Sequence, residues 1–157
     1  MSTSLDDLNP APRDAARRAF ADLDVREISY AVTSTLRTLA EQRALYAQGR
    51  EGLATVNALR AAAGLPALPE AENHYTVTNA NGTSVALGGT GRSPHQLGRA
   101  LDVVPLGEHG PEWPDSKDPR WYDIAASFEA EGFEWGGRWT KAKDGIDPDL
   151  PHYQFPA

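Results

Sequence analysis

The sequence predicts an α+β domain with a small antiparallel sheet flanked by three to four helices. Apolar residues recur at helical spacing in several segments that have clear start and stop signals. Shorter segments alternate apolar and polar residues, which is typical of half-buried strands. The predicted helices are grouped apart from the strands, whereas a parallel α/β sheet would alternate them. At 157 residues the chain fits one domain, residues 1–157, with a flexible start over about the first eight residues.

The first two predicted helices lie in the N-terminal third of the chain. One spans residues 10 to 22 and has two prolines near its start, where a helix tolerates proline. The other, TLAEQRALYAQG, begins with a capping box formed by Thr38 and Glu41. Gly49 is its natural stop. Both helices are therefore bounded by local signals as well as by periodicity.

The later helices have equally clear ends. TVNALRAAAG is a short third helix that Gly64 closes. Asp118 is the expected N-cap of a fourth helix, and Pro119 occupies its first position. This helix ends before Gly132, and its apolar stripe is expected to face the core. The stripe consists of Trp121, Ile124, Ala125 and Phe128.

Alternating segments predict the strands. REISYAV places Ile28, Tyr30 and Val32 on one face, and GRALDVVP resumes as a strand that ends at Pro105. FEWGGRW and HYQF are predicted aromatic strands separated by the polar loop TKAKDGIDPDLP. Another short strand, followed by the turn signal Asn81-Gly82 and a glycine-rich loop, is expected between residues 74 and 91.

Composition excludes several classes of function. The chain has no cysteine, so disulfides, thiolate zinc sites and cysteine nucleophiles are ruled out. A net charge of −7 argues against nucleic-acid binding. No apolar run approaches 18 residues, so no membrane span is expected. The N-terminus, MSTSLDDLNPAPRD, is acidic and lacks the features of a Sec signal, so we expect synthesis in the cytoplasm.

The segment SPHQLGRALDVVP raises a chemical question. Asp102 lies between Leu101 and Val103 in a predicted strand, where burying an unpaired carboxylate costs several kcal/mol. Strand alternation places Asp102 on one face with small residues, and Leu101 and Val103 on the core face. His95 precedes the strand in a turn from which it can fold over the Asp102 face.

A second candidate segment, DLPHYQF, lies near the C-terminus. Asp149 comes three residues before His152, and His152 shares a strand face with Gln154. Two imidazoles and one carboxylate are a usual catalytic zinc set with one position left for water. The alternatives are that Asp102 caps a turn or pairs with an arginine, and that His152 is a packed edge residue. The zincin motif HExxH is absent.

These segments match a known family. SPHQLGRALD fits the pattern S-x-H-x-x-G-x-A-x-D of zinc D-alanyl-D-alanine carboxypeptidases and phage L-alanyl-D-glutamate endopeptidases, and DLPH fits the second half of their signature. STLRTLAEQRALYAQGR resembles the family's arginine-bearing segment, VTNANG its central strand and turn, and FEWGGRW its aromatic strand. The resemblance covers about residues 28–155. LYAQGR, DVVP and WGGRW are most similar to the endolysin branch.

The resemblance implies a role for each matching residue. Zinc would be bound by His95, Asp102 and His152, on the sheet. Asp149 would be the general base, although the longer segment GIDPDLP leaves Asp147 and Asp144 as competitors. Arg37 would polarise the scissile carbonyl, with an i+4 ion pair to Glu41 as its structural alternative. Ser93 would lie on the substrate side. For Trp135 and Trp139 a place in the core is favoured over one in the groove wall.

The function that the resemblance implies is zinc-dependent cleavage of peptidoglycan. We expect a monomeric bacteriolytic endolysin that cleaves the L-Ala–D-Glu bond of the stem peptide and reaches the periplasmic face of the wall after release. One alternative is a D-Ala-D-Ala carboxypeptidase or dipeptidase. The other is a non-catalytic zinc-containing module such as the Hedgehog signalling domains. Retention of both Asp149 and Arg37 favours catalysis over the second alternative.

Overall fold

The computed structural model describes residues 1–76 and 93–157. Its elements confirm an α+β fold with a small antiparallel sheet. The helices are α1 (Pro10–Val25), α2 (Leu39–Ala47), α3 (Leu53–Ala62), α4 (Pro119–Ala130) and α5 (Lys141–Asp144). The strands are β1 (Tyr30–Ser34), β2 (Ala100–Gly107), β3 (Gly110–Pro111), β4 (Glu134–Trp135) and β5 (His152–Gln154). The predicted strand VTNANG and its Asn81-Gly82 turn lie outside the described residues.

The predicted caps of α2 and α4 are present, and the structure has one helix that the sequence did not predict. The Thr38 side chain accepts a hydrogen bond from the Glu41 N–H, and Glu41 accepts one from the Thr38 N–H, so the capping box of α2 is complete. Asp118 caps α4 as expected. The fifth helix, α5, falls inside the predicted polar loop. Thr140 caps this single turn and Gly145 ends it in the left-handed conformation, so purely local signals form a helix where none was expected.

Two strand predictions differ from the structure. Only the first part of FEWGGRW pairs as β4, because the chain turns into a 3-10 helix over Gly136–Arg138. The predicted loop after Pro105 contains β3, which pairs with the last two residues of β2 in a tight antiparallel hairpin. The strand β2 therefore continues to Gly107 instead of ending at Pro105.

The sheet is antiparallel, and its strand order is β1-β2-β5-β4, with β3 paired to β2. One face packs against α1 and α4. Leu101 and Val103 of β2 and Tyr153 of β5 are fully buried on that face. The apolar stripe predicted for α4 is buried with them, as are the alanines, Phe20 and Leu23 of α1. The helices thus cover one face of the sheet, and the alternate residues of β2 and β5 point to the opposite face.

The N-terminal residues contact the rest of the fold. The Thr35 N–H donates to the Ser2 carbonyl, and Leu8 is buried in the core cluster. These are residues for which the sequence predicts flexibility. In the described part of the chain, no helix has both the length and the apolar character needed to cross a membrane.

Candidate metal centre and active site

Strand register brings the candidate residues together across three strands. Asp102 of β2 is directly opposite His152 of β5 on one side and opposite Ser34 of β1 on the other. Residues that face each other in an antiparallel pair point to the same side with their Cβ atoms about 5 Å apart. Asp102 and His152 are therefore neighbours as a consequence of backbone pairing. His152 is buried and pairs with Asp102, while the pairing of β5 with β4 involves Tyr153 and Gln154.

His95 reaches the same face from the turn that precedes β2. Gly98 closes that turn with a φ of +64°, a conformation that favours glycine. Asn9 holds the turn from outside, because its N–H donates to the Gly98 carbonyl and its side-chain amide donates to the Leu97 carbonyl, both at 2.9 Å. The entry to α1 thus fixes the loop that carries His95.

The three predicted ligands form a compact triangle. His95 Nε2 lies 3.2 Å from Asp102 Oδ1 and 3.2 Å from His152 Nδ1, and the latter two atoms are 3.4 Å apart. Tetrahedral zinc bonds nitrogen and oxygen at about 2.0 to 2.1 Å, which requires donor atoms about 3.3 to 3.4 Å apart. His95, Asp102 and His152 are also the histidine and carboxylate cluster able to hold a metal among the described residues.

Each histidine has an inner nitrogen in the triangle and an outer nitrogen that points away from it. The hydrogen-bond partner of the outer nitrogen determines which of the two carries the proton of the neutral ring. His95 Nδ1 lies 2.7 Å from the Thr35 carbonyl oxygen, which can only accept, so Nδ1 carries the proton. His152 Nε2 lies 3.1 Å from Gln154 Oε1, so the proton of His152 is on Nε2. When both histidines are neutral, their inner nitrogens therefore present lone pairs beside the carboxylate of Asp102. A cluster of three acceptors is favourable only around a cation, so the donor set fits zinc.

The pKa shifts of His95 and Asp102 agree with these ionisation states, whereas that of His152 favours a second proton on its inner nitrogen when no metal is bound. Burial, reinforced by Arg37 and His152, lowers the pKa of His95, which favours the neutral ligand form. Burial alone would raise the pKa of Asp102, but the two histidines and Arg37 hold it well below its usual range. Burial would lower the pKa of His152, yet its hydrogen bond to Asp102 and the charges of Asp102 and Asp149 raise it. In His152 a bound metal must therefore displace a proton.

Arg37 is buried at the edge of the triangle, with 6% of its surface exposed. Its guanidinium donates to Asp102 Oδ2 at 3.3 Å and to Gln42 Oε1 at 2.9 Å. Within the described residues the Arg37 Nε–H has no hydrogen-bond acceptor. The ion pair with Glu41 that was the structural alternative does not form, since Glu41 instead caps α2. Asp102 therefore does pair with an arginine, as the alternative interpretation expected, but it contacts His95 and His152 as well.

Of the three aspartates considered as base, Asp149 lies in the candidate site. Its carboxylate lines the same cavity as the triangle, and burial raises its pKa to about 6, with the charge of Asp102 as the second cause. Asp147 instead lies 3.7 Å from Lys141, exposed to solvent. Asp144 accepts a hydrogen bond from the Thr140 N–H at the exposed helix α5.

The backbone around Asp149 is closely packed. The Asp149 N–H donates to the Gly136 carbonyl at 3.0 Å, and the His152 N–H donates to the Asp149 carbonyl at 3.2 Å. A Cβ atom on Gly136 would lie 2.5 Å from the Asp149 carbonyl oxygen. The absence of a side chain at position 136 therefore lets Asp149 and His152 approach the sheet together.

The triangle opens into a cavity of about 660 Å³. Ser93 lines it, and its hydroxyl accepts a hydrogen bond from the His95 N–H. Trp139 also lines it, with its ring 5.2 Å from the His152 ring, whereas Trp135 is in the core. Trp113, which is 64% exposed, forms part of the wall.

Sequence reasoning missed several of the residues around the triangle. Thr35 and Gln42 gave no signal, because they act through the fold and contact their partners only after β1 and α2 are placed. Gln154 could be associated with the site from the sequence, because it lies two residues after His152 on the same strand face. Trp113 stands in a predicted loop, and nothing in its local sequence relates it to the distant histidines.

Comparison with known proteins agrees with this geometry. Residues 87–155 match the family model described as D-alanyl-D-alanine carboxypeptidase. This match confirms the resemblance to the D-alanyl-D-alanine carboxypeptidases that the sequence predicts.

Solved structures share the fold at low sequence identity. The Serratia marcescens L-Ala D-Glu endopeptidase ChiX is 22% identical, with a TM-score of 0.55 over 97% of this chain and 83% of that one. The vancomycin resistance D,D-pentapeptidase VanY from a VanB-type cassette, solved as a mutant with Zn(II), is 18% identical, with a TM-score of 0.56 over 94% and 72%. VanYB in complex with D-alanine-D-alanine is 17% identical, with a TM-score of 0.58 over 96% and 72%.

Proposed function

We propose that this relative of the D-alanyl-D-alanine carboxypeptidases is a zinc-dependent peptidoglycan peptidase of the endolysin type, which cleaves the L-Ala–D-Glu bond of the stem peptide. One observation carries the proposal. His95 Nε2, Asp102 Oδ1 and His152 Nδ1 form a triangle with edges of 3.2 to 3.4 Å, and both nitrogens present lone pairs to its centre. His95, Asp102 and His152 would hold a zinc ion as three protein ligands, and a catalytic zinc site keeps its fourth position for water or substrate.

The surrounding residues supply the remaining chemistry. Zinc in this triangle would lower the pKa of a bound water towards 7 and polarise a carbonyl. Asp149, whose pKa lies near 6 before the metal adds its positive charge, accepts the proton of the attacking water and returns it to the leaving amine. Arg37, held by Asp102 and Gln42, faces the oxyanion, and one well-aimed donor contributes about 3 kcal/mol to its stabilisation.

The cavity walls position the substrate. Ser93 lies beside His95 and offers a hydroxyl to the substrate backbone. Trp113 and Trp139 provide apolar surface on which a peptide or sugar ring can lie. Substrate attraction must be local, because the chain as a whole has a net charge of −7 and the bacterial wall is anionic. We place the site of action at the cell wall, outside the compartment of synthesis.

Two lines of support favour the endopeptidase. LYAQGR, DVVP and WGGRW are similar to the endolysin branch of the family. The shared fold with the Serratia marcescens L-Ala D-Glu endopeptidase extends over 97% of this chain and 83% of that one, so the two domains have similar extents.

A D-Ala-D-Ala carboxypeptidase is the second candidate. The family model bears that description, and VanYB was solved with D-alanine-D-alanine. A purely structural zinc module is disfavoured, because it would need neither a carboxylate like Asp149 beside the ligands nor a buried guanidinium like Arg37.

Mass spectrometry of fragments released from purified peptidoglycan separates these candidates. The wild-type protein with zinc is expected to release glycan-free peptides that begin with D-glutamate, leaving L-alanine on the muramic acid. Release of free D-alanine would support the carboxypeptidase instead. Release of neither, with a protein verified to contain zinc, would contradict both enzymes and favour a binding module. The variant Asp149→Asn, carried through the same digestion, controls for contaminating hydrolases.

A further inference from the structure

The two candidate histidine ligands depend on different kinds of partner. Each must carry its proton on the outer nitrogen so that the inner nitrogen is free for a metal. For His95 the partner is the Thr35 carbonyl, which belongs to the backbone and cannot turn around. For His152 the partner is the side-chain amide of Gln154, at 3.1 Å. An amide can turn by 180° and offer NH₂ in place of oxygen, so the tautomer of His152 depends on how Gln154 is oriented.

Glu134 determines that orientation. It is the direct cross-strand partner of Gln154 in the β4–β5 pair. Gln154 Nε2 donates to Glu134 Oε2 at 3.0 Å. A carboxylate has no hydrogen to give, so it requires the NH₂ group of Gln154 to face it, and the amide oxygen is then turned towards His152.

Trp139 anchors the outer end of this arrangement. Its indole N–H, which can only donate, lies 2.6 Å from Glu134 Oε1. The Trp139 side chain is 6% exposed, and its ring contacts His152 at a centroid distance of 5.2 Å. The four side chains thus form a closed group in which every hydrogen bond has a fixed direction. His152 donates to Gln154, Gln154 donates to Glu134, and Trp139 donates to Glu134 from the other side.

We propose that Glu134 is a positioning residue for the metal centre, which sets the metal-binding tautomer of His152 through the orientation of the Gln154 amide. This inference rests on the metal site of the proposed function and adds a determinant of its affinity. Groups that hold the outer nitrogen of a metal-binding histidine commonly change metal affinity by about 10- to 100-fold. Glu134 acts through the amide of Gln154, which has two orientations. Loss of the Glu134 carboxylate therefore allows the amide to turn, which reverses the hydrogen bond between Gln154 and His152.

The substitution Glu134→Gln shows the reversal most clearly. The new amide keeps its oxygen on the Trp139 N–H, because that group can only donate, so its NH₂ group faces Gln154. Gln154 must then turn its oxygen outward and its NH₂ group towards His152. His152 accepts at Nε2, and its proton moves to Nδ1, the atom that faces His95 and Asp102. A metal ion must compete with that proton.

The experiment measures the zinc dissociation constant by competition with a chromogenic chelator, without substrate, at fixed neutral pH. Glu134→Gln is expected to weaken zinc binding about tenfold or more. Glu129→Gln is the matched control, because it removes the same negative charge from a different place. Glu129 accepts hydrogen bonds from Arg138. The Glu129→Gln protein is expected to bind zinc like the wild type. Melting temperatures of the metal-free proteins verify that each variant is folded.

An exchange of the two side chains provides the rescue. In Glu134→Gln/Gln154→Glu the carboxylate accepts directly from His152 Nε2, and the amide outside it donates to that carboxylate while accepting from Trp139. The hydrogen bonds donated by His152 and by Trp139 regain their original directions, and only the bond between positions 134 and 154 is reversed. Nδ1 of His152 is again available to the metal, so zinc affinity is expected to return to the wild-type value or exceed it. A merely structural role for Glu134 predicts no such recovery.

Three outcomes would overturn the inference. Wild-type affinity in Glu134→Gln would show that the amide orientation does not matter. Equal weakening in the single variant and in the exchange, both folded, would mean that Glu134 acts through its charge or through packing. A wild-type protein that binds no zinc would instead remove the metal site itself, and with it the proposed function, so this failure is distinguishable from the first two.

Discussion

Asp102 is a charged residue in a central strand of the sheet. Its neighbours in β2, Leu101 and Val103, are fully buried, and an unpaired carboxylate at such a place costs several kcal/mol. The structure offsets that cost with Arg37 and the two histidines, all within 3.4 Å of its oxygens. Asp149 differs, because burial and the charge of Asp102 raise its pKa. The two aspartates are thus suited to different tasks, one to permanent charge and the other to proton exchange.

Substitutions at these two aspartates separate catalysis from metal binding. Asp149→Asn cannot accept a proton, and loss of a positioned base costs about 10² to 10⁴ in rate. Zinc content and melting temperature are expected to stay at wild-type values. Asp102→Asn removes a charged ligand, so zinc content and stability are expected to fall along with activity. Fragment release, zinc content and thermal melting measured on both variants check this.

Two results would contradict the assignment. If Asp149→Asn keeps more than about a tenth of the wild-type rate, a different group acts as base. If it loses zinc as Asp102→Asn does, Asp149 is a ligand and the division of roles is wrong.

At the scale of elements, local signals account for most of what the sequence predicted. Thr38 with Glu41, and Asp118 with Pro119, form their caps from residues within three positions of one another, so they can be read from the sequence alone. The pairing of Asp102 with His152 depends on the register of β2 against β5, fifty positions apart. Strand alternation and residue type singled out Asp102 and His152 as candidate ligands with alternatives left open, and the family resemblance implied that they bind one metal.

Two elements were predicted wrongly, the aromatic segment after Gly132 and the helix α5. The aromatic segment after Gly132 alternates like a strand, but Gly136 comes so close to Asp149 that the chain leaves the sheet. Alternation cannot reveal such a tertiary contact. The opposite error occurred at α5, where the sequence predicts a polar loop although Thr140 caps a single helical turn and Gly145 ends it.

Gly136 offers a test at this scale. In Gly136→Ala the new Cβ would lie 2.5 Å from the Asp149 carbonyl oxygen and 3.2 Å from His152 Cβ, so the segment that carries both residues must move. We expect destabilisation of about 1 to 3 kcal/mol and weaker zinc binding. Chemical denaturation and a zinc titration measure the two effects. Gly52→Ala is the control for metal binding, because a Cβ there meets no atom within 4 Å. Unchanged zinc affinity in Gly136→Ala would contradict the close packing described here.

At the scale of the whole molecule, the proposed metal would link the sheet, the turn before β2 and strand β5. His95 comes from the turn held by Asn9, Asp102 from the centre of the sheet, and His152 from the strand beside it. A ligand that binds only the folded state stabilises it by mass action, by about 4 kcal/mol when its free concentration is a thousand times the dissociation constant. The apolar core between α1, α4 and the sheet lies on the opposite face and does not need the metal. The metal-free protein is therefore expected to fold, but with lower stability.

Thermal melting with and without a strong chelator tests this expectation. A loss of about 4 kcal/mol corresponds to about 10 °C in melting temperature for a domain of this size. The wild-type protein is expected to melt lower by that order when its metal is removed. His95→Ala is expected to melt at the lower temperature in both conditions. An equal chelator effect in wild type and His95→Ala would show that the stabilising metal binds elsewhere.

Native mass spectrometry of the zinc-equilibrated protein tests the central claim most directly, because it counts metal ions on each intact chain. The wild-type protein is expected to carry one zinc ion, and Asp149→Asn to carry one as well. His152→Ala, which deletes one corner of the triangle, is expected to carry none under the same conditions. A wild-type chain without zinc, or a His152→Ala chain that keeps its ion, would contradict a catalytic metal centre formed by His95, Asp102 and His152.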